Sequence, residues 1–228
     1  MKIALCLLTY NEITGCRHDV PRIDRSRFDE IYAVDGGSQD GTVEYLTGQN
    51  IPVYLQPKPG LNAAHVHAVE KCRSEAIIFF HPKGTIPTED TLRLRKFFDE
   101  GYDLIIASRN IKGARNEEDE RLLRPRKWFV GFLALWAALL FRRSGPVIWD
   151  VLHGFRGFTL KAFRDIRLPE EGRTVDLASV IRGYRHPLKM IEFPTTERPR
   201  LHGKSHFKPL PVGWELLQFL FQEAIRKD

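Results

Sequence analysis

With 228 residues, 43% of them hydrophobic, the chain carries enough apolar material for one substantial core, which excludes a disordered or fibrous polymer. Its formal net charge of +6 favours an anionic partner: a phosphate-bearing substrate, an acidic membrane surface or nucleic acid. Cys6, Cys16 and Cys72 are odd in number and lack zinc-type spacing, so reduced thiols are the simplest expectation. Residues 1–10 have neither the basic start nor the cleavage site of a signal peptide, and a cytoplasmic location is expected.

Ile3 to Leu8 is short and apolar and gives way at once to Thr9-Tyr10-Asn11-Glu12, the pattern of a buried strand entering a polar loop. Residues 13–28 have no clear period; Arg17, Arg22, Arg25 and Arg27 place positive charge there on either a helix or a loop. A second strand runs from Ile31 to Asp35 and ends in Gly36-Gly37-Ser38-Gln39-Asp40-Gly41-Thr42. The glycines permit a tight turn, and Ser38 or Asp40 can cap a helix over Thr42 to Gly48. Such a corner suits a ligand, because open α/β sheets bind at strand ends, and suits an ordinary capped turn equally well. Val53 to Leu55 is a third strand, closed by Pro57 and Pro59, and Gly60 opens a helix from Asn62 to Cys72. Ala76 to Phe80 reads as a strand buried on both faces, and Thr88 to about Glu100 as a helix with acids in its first turn. Leu104 to Ala107 is the next strand and closes on Ser108-Arg109.

Residues 110–127 are strongly charged and read as a solvated loop entering a basic helix. Trp128 to Phe141 is the most apolar stretch, bracketed by Arg126-Lys127 and Arg142-Arg143. It falls short of the roughly 20 residues that cross a bilayer as a helix. Two readings stand: a core helix, or a helix over 126–143 lying in the membrane interface with its basic ends near lipid phosphates. After Asp150 to Phe158 come short helices over Leu160 to Asp165 and Asp176 to Arg182, then a strand over Lys189 to Phe193. A basic, glycine-containing loop from Arg198 to Lys208 precedes an amphipathic helix over Val212 to Ile225. The alternation predicts a single α/β domain with a mostly parallel sheet flanked by helices.

Taken together, these segments resemble the family 2 glycosyltransferases, and within them the dolichyl-phosphate mannose synthase and polyprenyl-phosphate sugar transferase group. The resemblance rests on Leu8-Thr9-Tyr10-Asn11-Glu12, on Asp35 to Thr42, on Gly60-Leu61-Asn62-Ala63-Ala64 and on Ser108-Arg109. It continues through His153-Gly154-Phe155-Arg156 and Arg200-Leu201-His202-Gly203-Lys204-Ser205, in the family's order. It implies a Rossmann-like GT-A fold, a nucleoside-diphosphate-sugar donor bound by residues 1–110, and a polyprenyl-phosphate or other acceptor bound by residues 111–228, with inversion at the sugar. On this resemblance Thr9, Tyr10, Glu12, Asp35, Gly37 and Arg109 would bind the donor. Arg156, Arg200, Lys204 and Ser205 would meet the diphosphate or the acceptor. Asp150, or else Asp176, would be the base for a hydroxyl acceptor, whereas an ionised phosphate acceptor needs little such help.

One departure stands out. Where the family carries Asp-x-Asp to hold Mg2+ or Mn2+, this chain has His81-Pro82-Lys83, and neither histidine nor lysine makes a hard-metal oxygen site. His65 and His67 lie two apart on a helix and face different ways, so they make a poor nitrogen site with His81. The departure allows two expectations: that Lys83 acts catalytically by supplying the missing positive charge, or that the chain is a catalytically silent sugar-nucleotide-binding protein. Nucleic-acid binding has charge in its favour and no recognition motif.

Overall fold

The computed structural model describes residues 1–120, 122–200 and 209–226. Its first half alternates β1 (Ile3–Thr9), α1 (Ile13–Asp19), β2 (Glu30–Asp35), α2 (Thr42–Gly48), β3 (Val53–Leu55), α3 (Leu61–Lys71), β4 (Ala76–Phe80), α4 (Asp90–Asp99) and β5 (Leu104–Ser108). The second half contributes α5 (Pro125–Phe141), β6 (Arg156–Thr159), α6 (Leu160–Asp165), α7 (Val175–Arg185), β7 (Met190–Pro194) and α8 (Pro209–Ile225). All seven strands join one sheet in the order β3-β2-β1-β4-β6-β5-β7.

The run β3-β2-β1-β4 is parallel throughout, with Thr9 level with Asp35 and Leu7 level with Phe80, so the carboxyl ends of β1, β2 and β4 come out side by side. The strand order reverses between β1 and β4, the switch point where such sheets open a crevice. Alternation along β1 sends Ala4, Cys6 and Leu8 to the core under α3, α5, α7 and α8, and Ile3, Leu5 and Leu7 to the opposite core with residues of α1, α2 and α4. All three cysteines are buried and free.

Two features depart from the sequence reading. Residues 13–28 are neither one helix nor one loop: α1 is followed by two 3-10 turns, Val20–Arg22 and Arg25–Arg27. The segment after His153 is a strand, β6, antiparallel to both neighbours. A four-residue strand containing an arginine and a glycine has no alternation to read, and only pairing on both sides makes it regular. Asn62 ties the halves together: its amide donates to Glu171 O at 2.5 Å and Thr174 Oγ1 at 3.2 Å, and its carbonyl accepts from Val175 N at 2.8 Å.

Candidate active site

The turn after β2 is built around Asp35. Its carboxylate accepts from Thr9 Oγ1 at 2.7 Å, Gly37 N at 2.9 Å, Ser38 N at 2.7 Å and Ser38 Oγ at 2.7 Å. Gly37 takes φ +91°, where a side chain would be strained. Asp40 accepts from Thr42 N at 3.1 Å and from Ile13 N at 3.0 Å, and Asn11 donates to Ser38 Oγ at 2.7 Å while accepting from Gln39 N at 2.8 Å. The loops after β1 and β2 are thus stitched into one rim. Tyr10 stands half-exposed on that rim, packed along Gly36, and offers a ring face. Asp35 itself is fully buried and its oxygens are taken. It braces the turn, a correction to its expected place as a pocket-lining ligand.

Across β1, the turn His81-Pro82-Lys83 ends β4. Gly15 of α1 lies flush against it: a Cβ there would stand 2.1 Å from Pro82 O, so only glycine permits this approach. Behind the turn, the buried Asp19 carboxylate accepts from Gly84 N at 2.8 Å. Lys83 is half-buried, and its pKa is pushed down by burial and by the nearby Arg200, against the pull of Glu12 and Glu197. Arg200 donates to the Glu12 carboxylate, which brings this arginine against the loop that follows β1. His81 lies over the His153-Gly154 turn, since a Cβ on Gly154 would be 2.6 Å from its Nε2. Burial, with Lys83 next, holds the His81 ring well below the usual imidazole range. Thr9, Tyr10, Glu12, Lys83 and Arg200 therefore gather at the carboxyl ends of β1 and β4. Lys204 and Ser205 lie outside the described residues.

Arg109, at the end of β5, is committed elsewhere. Its Nε and Nη2 grip Asp150 at 2.8 and 3.0 Å, its backbone N–H donates to the same carboxylate at 2.8 Å, and Nη1 meets Glu197 at 3.0 Å. Asp150 is fully buried; burial alone would raise its pKa, yet Arg109 outweighs that and holds it at about 2. A carboxylate so acidic and so occupied is a poor proton acceptor, which corrects its expected role as general base. Glu197 is held low by the same arginine despite its burial.

Arg156 is a third correction. Its guanidinium is fully buried, with Nε on His153 O at 2.9 Å, Nη1 on Asp176 O at 2.8 Å and Ser179 Oγ at 2.6 Å, and Nη2 on His153 O at 2.6 Å. Asp176 Oδ1 is 3.1 Å from Nε, so the alternative base is also engaged by an arginine. Arg156 joins β6 to α7 from inside, its donors spent on protein acceptors.

Residues 5–167 match the model of the family described as glycosyl transferase family 2, more than half of the chain. The chain belongs to the family 2 glycosyltransferases. Among this glycosyltransferase's relatives are glycosyltransferase AglJ of Haloferax volcanii, 28% identical over 97% of this chain and 72% of the relative, and the dolichyl-phosphate hexose transferase of that species, 26% identical over 98% and 96%. The dolichol-phosphate mannosyltransferase of Pyrococcus furiosus is 24% identical over 97% of this chain and 63% of its own length. Glucosyl-3-phosphoglycerate synthase from Mycobacterium tuberculosis, solved with Mn2+, UDP-glucose and glycerol 3-phosphate, superposes on the whole glycosyltransferase and 81% of that chain, with a TM-score of 0.74 and 15% identity. The fold is GT-A.

The divalent ion that this family implies does not fit the donors present. On the family resemblance His81 and Lys83 stand where its two carboxylates would be, and the nearby acids Glu12, Glu197 and Asp150 are engaged by Arg200 and Arg109. Among the described residues no three His, Cys, Asp or Glu side chains are grouped to hold a metal. Glu197 is the site residue that sequence reading missed. Its partner is 88 residues away, and nothing in its local spacing marks it.

Proposed function

We propose that this glycosyltransferase moves a sugar from a nucleoside-diphosphate donor to a polyprenyl-phosphate acceptor, as a peripheral protein at the cytoplasmic face of a membrane, and that Lys83 and Arg200 take the electrostatic place of the metal. The observation that carries this reading is that Arg200, clasped to Glu12 just after β1, and Lys83, just after the adjacent β4, stand at neighbouring strand ends, with the lysine's pKa pushed down first by burial and then by Arg200. A diphosphate between them would relieve that repulsion and receive charge stabilisation as it leaves. The names of the relatives acting on dolichyl phosphate support the acceptor class. Residues 1–110 would hold the donor, with Tyr10 against the base, and residues 111–228 the acceptor.

In the proposed reaction an acceptor phosphate oxygen attacks the anomeric carbon. A new C–O bond forms there as the bond to the diphosphate breaks, so configuration inverts and the nucleoside diphosphate departs with the electron pair. An already ionised phosphate needs no proton removed, which suits a site whose candidate base, Asp150, is held at about pKa 2. Arg109 then serves to fix Glu197 and the loop that leads to Arg200.

The test is a screen of GDP- and UDP-sugars with prenyl phosphate, with and without chelator, reading donor binding and nucleoside-diphosphate release. Transfer that persists in chelator is expected. Strict dependence on added Mg2+ or Mn2+ would overturn the role given to Lys83, and donor binding without release would favour the catalytically silent alternative.

A further inference from the structure

The outer surface of α5 is apolar, and that of α8 is largely so, with Gln218 and Gln222 exposed among its apolar side chains. From Trp128 to Phe141 there is no charged or hydrogen-bonding side chain apart from the indole N–H groups of the tryptophans. Leu133, Ala137 and Phe141 turn inward to the core, while Trp128, Phe132, Leu135, Trp136, Leu139 and Leu140 point outward, with Leu139 70% exposed. α8 repeats the arrangement: Val212, Leu216 and Leu220 pack into the same core, and Leu210, Trp214, Phe221 and Ile225 are exposed. The two helices touch, Phe129 lying against Gly213, and both rest on α7, so their outward faces form one largely apolar surface.

We infer that this surface is a membrane seat, on which α5 and α8 lie in the interface of a bilayer containing anionic lipid. The inference deepens the proposed function, resting on its lipid-phosphate reading for the purpose of the seat. α5 has 17 residues, about 25 Å of helix, and no described helix is long and apolar enough to cross a membrane. Lying flat is the geometry left to it. Charge selects the occupant. Arg142 and Arg143 are exposed at the carboxyl end of α5 and Arg126 at its amino end, and Arg226 follows α8. Arg126 is paired with Glu117, so the cationic end is the carboxyl one: a second copy docked on α5 in parallel would bring Arg142 and Arg143 against their own equivalents, whereas anionic headgroups would meet these cations. Trp128, Trp136 and Trp214 suit the same depth, with rings in the acyl boundary and N–H groups toward water. The loop from Asn110 to Arg124 links α5 to the strand end that carries Arg109, so a seated α5 would hold the site beside the layer where a lipid phosphate resides.

The test uses the full chain with vesicles of phosphatidylcholine containing phosphatidylglycerol, read by co-sedimentation and by tryptophan emission. Binding with a blue shift is expected. The double substitution Leu139→Glu with Phe221→Glu, both at exposed positions, should weaken partitioning by about tenfold or more, roughly 1.4 kcal/mol, with melting temperature unchanged. Arg142→Glu should weaken binding to the anionic vesicles and leave binding to pure phosphatidylcholine as it was. Vesicle binding unaltered by the double substitution would overturn the inference, as would a stable dimer in sedimentation velocity that the substitution splits. Transfer to a short, water-soluble prenyl phosphate separates the two readings. If vesicles bind and that acceptor receives no sugar, the proposed function fails and the seat stands; if the acceptor is used and vesicles do not bind, the reverse holds.

Discussion

At the end of β2 the Asp35 carboxylate is met by donors from its own turn and from Thr9, whereas at the end of β4, across β1, Lys83 lies close to Arg200 as a like charge. Both corners belong to the same crevice and both are rich in polar groups. The first is electrostatically complete without a ligand and gives shape. The second sets two cations near each other beside Glu12 and Glu197, whose pull on Lys83 offsets only part of the push from burial and from Arg200. Charge satisfaction, more than the presence of charge, separates scaffold from working surface in this molecule.

Substitution at Lys83 tests that contrast most sharply. Lys83→Met should lower transfer by about 10²- to 10³-fold, the usual effect of removing one preorganised charge, in steady-state assays. The melting temperature should stay level or rise, because a half-buried cation beside another cation has gone. A large fall in melting temperature would place Lys83 among the scaffold groups. Asp35→Ala should do the opposite, costing about 3 kcal/mol in urea denaturation by stranding the donors of the turn. If Asp35→Ala folds as stably as the parent, the completeness of that corner is an illusion of the geometry.

Acid unfolding offers a smaller effect. Asp150 is held at about 2, below the usual aspartate value of about 3.9, so its contribution is full above pH 4 or so and disappears as pH falls through the folded value. On the order of 2 kcal/mol should be lost on that descent, and Asp150→Asn should flatten it. The smallest effect should come from pyrophosphate without added metal. At about ten times its dissociation constant it should stabilise the parent by about 1.4 kcal/mol in thermal unfolding and leave Lys83→Met nearly unmoved. Equal stabilisation of both would show that the anion binds elsewhere.

Much of the frame is legible in the sequence. The apolar runs ending at Thr9, Asp35, Phe80 and Ser108 are the parallel strands, because strands buried on both faces need no alternation and leave a clear compositional mark. The glycine-rich turn and the loss of Asp-x-Asp were equally plain. Three things were not. Arg156 has the same formula as a surface arginine, and its burial depends on carbonyls of His153 and Asp176 that no spacing rule brings together. Asp150 read as a base because its partner Arg109 is 41 residues away. Glu197 carried no mark at all, being one acid in a polar stretch until Arg109 and Arg115 fold against that segment. Local sequence reports backbone periodicity well and remote ion pairing hardly at all.

The clasp between Glu12 and Arg200 joins residues 188 positions apart. A ribosome delivers the first of them 188 residues before the second. The rim formed by the loops after β1 and β2 can therefore assemble well before Arg200 arrives to close against Glu12. Completion of that corner is thereby deferred until Arg200 itself has been made.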